Sequence, residues 1–218
     1  MKALPIVIAV FFSLGCSQAV NATPFAVINE VLYDGPGSDA DDVFTELFGA
    51  PGLVLDGWSL TGTNGADGSV YRTVDLTGGV IPSDGIFLIA TLDTLLSGVD
   101  LFANVDWQNG PDSVQLLDDS GIIVDALQYG NAGTFNAGEG SPSIDVGAGQ
   151  SLSRDLFGTD TDDNLTDFMV LDSPTPGSGP QLATVPEPGT LVLLATGLLG
   201  LMLFSPLGCR RHCFNLRS

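Results

Sequence analysis

From Phe25 onward, short apolar runs alternate with clusters of Gly, Asp, Asn and Pro, and no long stretch between them carries the 3.6-residue period of an amphipathic helix. The runs predict strands at 25–33, 43–48, 53–60, 69–76, 86–90, 113–117, 122–129 and 151–154. Short strands at such spacing, without helices to cross between parallel neighbours, predict an all-β sandwich or barrel. Within this pattern Ile86-Phe87-Leu88-Ile89-Ala90 is apolar at every position, as expected of a central strand covered on both faces. The 69–76 run places Val70, Val74 and Leu76 on one face with Arg72 among them, and Tyr71, Thr73 and Asp75 on the other. Asp118-Asp119-Ser120-Gly121 separates two apolar runs and predicts a hairpin loop, with Gly121 free to take a left-handed conformation.

Between the strands the pattern thins. Residues 92–96 suit one helical turn. The stretch 130–149 has few apolar residues and predicts a long surface loop, and 173–184, with Pro174, Pro176, Gly177 and Gly179, reads as a linker.

The two ends differ from this texture. Lys2 followed by the apolar stretch 3–14 and the small residues Ser17-Gln18-Ala19 or Val20-Asn21-Ala22 gives a secretory signal peptide over 1–22. Cys16 opens a lipoprotein alternative, but Ser13 stands where a lipidation signal has Leu. At the other end Leu191 to Leu207 is uncharged, and at 1.5 Å per residue it spans roughly 26 Å, enough for a transmembrane helix over 190–207. Arg210, Arg211 and Arg217 follow, so the positive-inside bias puts the tail 212–218 in the cytoplasm and the bulk of the chain outside.

The order Pro186-Glu187-Pro188, short Leu/Gly-rich segment, then Arg210-Arg211 resembles the PEP-CTERM sorting signal of Gram-negative bacteria, here over 185–211. That resemblance implies recognition by an exosortase-type sorting enzyme, after delivery by Sec-type export machinery and signal peptidase. It implies an exported precursor held at the inner membrane by its C-terminal helix and then passed to the cell surface or extracellular matrix.

Charge narrows the partners. Of the 26 acidic residues, 25 lie between Thr23 and Val185 with only Arg72 and Arg154 to oppose them, a net charge of −23. Such a surface repels phosphate backbones, which excludes nucleic acid and leaves divalent cations, exopolysaccharide or other surface proteins as partners. Cys16, Cys209 and Cys213 all fall in the terminal segments, so the body of the chain folds without disulfides.

That body also lacks His. General-base and nucleophilic chemistry near pH 7 usually draws on His or an activated Cys, so a Ser-His-Asp triad, a Cys protease and a His-bearing zinc site are excluded. No catalytic residue and no cofactor is assigned, and the chain reads as a non-enzyme. The alternatives kept are a secreted polysaccharide hydrolase working with two carboxylates and a Ca²⁺-dependent carbohydrate-binding module. Two acidic stretches are candidate Ca²⁺ sites: Asp160, Asp162 and Asn164, and Asp39, Asp41 and Asp42. In the first, Leu165 and Leu171 stand where a helix-loop calcium site needs Gly and a bidentate Glu. Both stretches also suit solvated loops whose Asp and Asn cap turns. Glu30, Glu46 and Arg154 fall on strands and predict one buried or half-buried salt bridge rather than a functional role. Trp58 is expected in the core, whereas Trp107 suits either the core or a sugar-stacking surface.

The ordered series Val27-Ile28-Asn29-Glu30-Val31-Leu32-Tyr33, Phe44-Thr45-Glu46-Leu47, Leu55-Asp56-Gly57-Trp58-Ser59-Leu60, Ile81 to Leu88, Val124 to Gly130 and Gln150 to Arg154 resembles a lamin tail domain. The resemblance implies an immunoglobulin-like β-sandwich over 23–172, a non-catalytic module with a structural, adhesive or binding role.

Overall fold

The computed structural model describes residues 25–37, 39–155 and 157–178. The predicted signal peptide, the apolar run Leu191 to Leu207 and the cytoplasmic tail lie outside the described residues. Among the described residues no helix is long and apolar enough to cross a membrane.

Among the described residues ten strands form two sheets. They are β1 (Ala26–Leu32), β2 (Phe44–Gly49), β3 (Ser59–Asn64), β4 (Val70–Asp75), β5 (Ile86–Ala90), β6 (Leu101–Phe102), β7 (Asp112–Leu117), β8 (Ile123–Tyr129), β9 (Ser151–Ser153) and β10 (Met169–Leu171), with one-turn helices α1 (Asp39–Asp42) and α2 (Asn164–Asp167). The larger sheet runs β10-β9-β1-β2-β5-β6 and the smaller β4-β3-β7-β8. All pairs are antiparallel except β5 with β6. The main core draws on both sheets: Ile28, Leu47 and Phe87 from one, Leu60, Leu116 and Leu127 from the other. Burying each such side chain contributes about 1.5–3 kcal/mol. An all-β sandwich follows from the alternation that the sequence carries.

The predicted helical turn at 92–96 is absent, and Leu92 and Leu95 lie exposed. The β7–β8 loop is the predicted hairpin. The Asp118 carboxylate accepts from the Ser120 and Ile122 N–H groups, and Gly121 has φ +75°. In β5, Phe87 and Ile89 enter the main core while Leu88 and Ala90 enter a second cluster with Leu32, Val43 and Phe44 on the outer face of the larger sheet. The doubly apolar strand is therefore covered twice. Leu96 and Val99, from the connection after β5, complete the outer layer.

A bulge in β1 decides what else reaches that outer face. Ile28 pairs with Leu47 but Glu30 pairs with Glu46, so Asn29 is an extra residue. The extra residue lets Ile28 and Val31, three apart, both point into the main core. It also places Glu30 directly opposite Glu46 on the outer face, beside Leu32 and Phe44.

The free edge of β8 is closed by a side chain. Asn164 Nδ2 donates to Ala126 O (2.7 Å) and its Oδ1 accepts from Gln128 N (2.8 Å), so one carboxamide takes the place of a neighbouring strand's backbone. Part of the predicted surface loop 130–149 is likewise attached: Ser143 N–H donates to Gln128 O, and Val146 N–H donates to the Tyr33 hydroxyl.

Candidate functional site

Arg154 follows β9 and is fully buried. Its Nε donates to Ile28 O (3.0 Å), Nη1 to Thr159 O (2.7 Å) and Nη2 to Asp125 (2.8 Å), while Asp167 lies 3.1 Å from Nη1. Asp160 approaches Nη1 at 3.4 Å and Glu139 approaches Nη2 at 4.0 Å. The Phe168 ring closes the remaining side, its centroid 4.5 Å from the guanidinium carbon. One guanidinium thus faces four carboxyl groups drawn from β8, the 130–149 loop, the 155–163 loop and α2.

The excess of negative charge divides these acids. Burial raises the Asp125 carboxyl although Arg154 pulls it down. Burial, with Asp125 and Asp160 beside it, raises Glu139 further above the usual carboxylate range, and its Oε2 is buried with no hydrogen-bond partner. Against the cost of burial, the Thr161 hydroxyl and N–H and the Arg154 guanidinium hold Asp167 below the ordinary value.

The carboxylate oxygens of Asp125, Glu139 and Asp160 lie within 4.8 Å of one another, the one grouping of metal-ligand type among the described residues. Arg154 contacts all three and already supplies the positive charge that a divalent cation would bring. Of the predicted Ca²⁺ ligands, Asp160 turns to Arg154 and Asp162 is exposed with φ +56°. Asn164 is taken up by Ala126, Gln128 and the Glu139 N–H. In the second stretch Asp39, Asp41 and Asp42 form α1, where Asp41 is exposed and Asp42 half-buried.

The second acidic cluster is Glu30 with Glu46, both fully buried. Among the described residues neither bonds a cation. Glu30 Oε1 accepts from Ser151 Oγ (2.6 Å) and Thr175 N (2.9 Å), and Oε2 from Thr175 Oγ1 (2.7 Å). Glu46 Oε1 accepts from Asn29 Nδ2 (2.7 Å) and Oε2 from Gly177 N (2.7 Å). Burial first, then Glu30 and Asp84 against the lowering effect of Asn29 and Gly177, pushes Glu46 up to about 7. The salt bridge expected among Glu30, Glu46 and Arg154 therefore does not form. The bulge at Asn29 sends the two glutamates to the outer face, and Arg154 finds Asp125.

Residues 173–178, predicted as the start of a linker, are a strap laid over that face. Its backbone N–H groups answer the two buried acids.

Of the two tryptophans, Trp107 takes the core alternative, whereas Trp58, expected in the core, is half-buried and packs against it. Trp107 is buried in the core and donates from Nε1 to Thr45 Oγ1 (2.8 Å). Trp58 is half-buried and, with Phe25, Val124 and Asp160, lines an open cavity of about 310 Å³.

Asp125, Glu139 and Asp167 escaped the sequence reading. The one signal for them was that Arg154 is one of only two bases in a strongly acidic stretch and so has to attract several acids. Pro186, Glu187, Pro188, Arg210 and Arg211 lie outside the described residues. No curated protein and no solved structure matches the chain. Residues 184–211 match the family profile of the PEP-CTERM protein-sorting motif, a signal that marks exported surface proteins of Gram-negative bacteria for processing by an exosortase-type enzyme.

Proposed function

We propose that this chain is a non-enzymatic protein of the cell surface or extracellular matrix, with a lamin-tail-like sandwich in a structural or adhesive role. The observation that carries the reading is a sorting motif at 184–211 following a strongly acidic all-β body. Export by Sec-type machinery and signal peptidase precedes recognition by the exosortase-type enzyme, with Pro186, Glu187 and Pro188 as the recognition element and Arg210 and Arg211 as the cytoplasmic stop. Glu30 and Glu46, which pair across β1 and β2, are buried beneath the strap, which supports the non-enzymatic reading over a hydrolase working with these two carboxylates. The adhesive contact is assigned to the cavity beside Trp58, where an aromatic face next to the Asp160 carboxylate suits a neutral sugar better than an anion.

Intact-mass analysis of protein from the native host tests the processing. A mature species that has lost 191–207 is expected, and a population retaining that run throughout would overturn the sorting claim. Turnover of a surface polysaccharide by the purified protein would overturn the non-enzymatic one.

A further inference from the structure

Two buried glutamates face each other across β1 and β2 with no opposing charge, and their ligands are neutral donors. Three of the five donors come from a single short segment: Thr175 N–H, Thr175 Oγ1–H and Gly177 N–H. The charged groups of the neighbouring elements make matters worse. Asp84 before β5 raises Glu46, Asp100 lines the same edge beside Pro176 and Gly177, and Asp172 immediately precedes the strap. The described residues contain only two bases, and Arg154 is engaged with Asp125 while Arg72 lies on β4 in the other sheet. Burying two adjacent carboxylates without a cation favours keeping one of them neutral.

We propose that residues 173–178 form a proton-controlled latch, docked over Glu30 and Glu46 while Glu46 retains its proton and released when Glu46 ionises and draws in water.

Docking then takes up a proton, so its equilibrium weakens as pH rises from the ordinary carboxylate value towards neutrality, and levels off above it. The Glu46 carboxyl, pushed up to about 7 by burial, sets the upper end of that window. Release also changes the chain beyond the sandwich. Five residues separate Ser178 from the motif at 184, a covalent reach of roughly 18 Å, and freeing the strap extends it to eleven residues and roughly 38 Å. That consequence, a longer tether in front of the sorting signal at higher pH, rests on the reading of the motif given above. The latch itself does not, and the experiment tests it without the sorting enzyme.

Hydrogen exchange of the full-length chain in detergent, corrected for intrinsic rates, is followed at the Thr175 and Gly177 amides from pH 5 to 8. Protection is expected to fall at least about tenfold across that range, while the Gly49 amide, bonded to Gly85 O, keeps its protection. In Glu46→Gln, which can keep its bond to Gly177, the fall should vanish. A flat profile in the wild-type chain would overturn the latch, and so would a fall of the same size in Glu46→Gln. The wild-type series decides the matter even if the variant folds poorly.

Discussion

The two buried acidic clusters answer the same electrostatic problem in different ways. Around Arg154, a guanidinium fixed by Ile28 O and Thr159 O gathers Asp125, Asp160 and Asp167, while burial and its acidic neighbours raise Glu139. At Glu30 and Glu46 no cation arrives, and backbone N–H and hydroxyl donors from a strap do the work. A cation built into the sandwich makes the first cluster a permanent part of the core. Neutral donors from a separable segment make the second one reversible, and its proton count becomes a variable.

Removing the cation gives the largest expected effect. Arg154→Met keeps the apolar stem but leaves Asp125 buried beside Asp160 and Asp167 without a counter-charge, at a cost of about 3–5 kcal/mol. Urea midpoints at neutral pH measure the loss. The deficit should shrink towards pH 5, because the orphaned Asp125 can then take a proton. A variant within about 1 kcal/mol of wild type at pH 7 would show that the acids reach water on their own, and that the contrast between the clusters is not one of burial.

Next comes Asn164→Ala, which leaves the Ala126 carbonyl and the Gln128 and Glu139 N–H groups without their partner. A loss of about 3 kcal/mol is expected from the unmatched buried groups. Faster exchange at the Gln128 amide should accompany it.

These residues show what a sequence makes legible. Strand β5 could be read for both of its covers because five consecutive apolar side chains leave no polar face, and the β7–β8 hairpin because Asp118 and Gly121 act within four residues of each other. Alternation does not hold through Asn29, where one bulged residue puts Glu30 on the opposite face from Ile28. Strands β6 and β10 are two and three residues long and hold by pairing with neighbours rather than by pattern. Arg154 pairs with Asp125, which is 29 positions earlier in the chain, and no spacing announces that. The strap was hidden because Pro, Gly and Ser look like a linker when the groups that matter are backbone N–H. Trp58 and Trp107 carry the same side chain, and only the packing around Thr45 decides which one is buried.

Glu46→Gln isolates the second cluster. A carboxyl whose folded value is raised from 4.5 to about 7 contributes stability that is complete below about pH 4.5 and lost as pH rises through 7. The wild-type chain should therefore lose stability across that window, while the amide carries no proton to lose. Relative to wild type, the variant is expected to gain on the order of 2 kcal/mol between pH 5 and pH 8. Asp125 and Glu139 also add to the slope of both proteins, so it is the difference between the two curves that reports on Glu46. Parallel curves would place the titration at the Arg154 cluster instead.

The smallest effect concerns cations, and it asks whether the Arg154 cluster still has room for a second positive charge. A net charge of −23 between Thr23 and Val185 repels itself, and a Debye length of roughly 8 Å in physiological salt relieves this only in part. Adding any salt should therefore raise the melting temperature modestly. A specific Ca²⁺ site behaves differently, because stability then rises with the logarithm of free Ca²⁺, by about 2.7 kcal/mol at a hundredfold excess over Kd. With the guanidinium in contact with Asp125, Glu139 and Asp160, Ca²⁺ entering there has to displace a cation that is already bonded on every side. Asn164 in turn has to give up Ala126 and Gln128 to become a ligand. Millimolar Ca²⁺, Mg²⁺ and NaCl at matched ionic strength are thus expected to shift melting equally. A shift with Ca²⁺ alone, abolished by Asp160→Ala, would show that the cluster admits a divalent ion beside Arg154. The same result abolished by Asp41→Ala would move the site to α1 and leave the contrast between the two clusters intact.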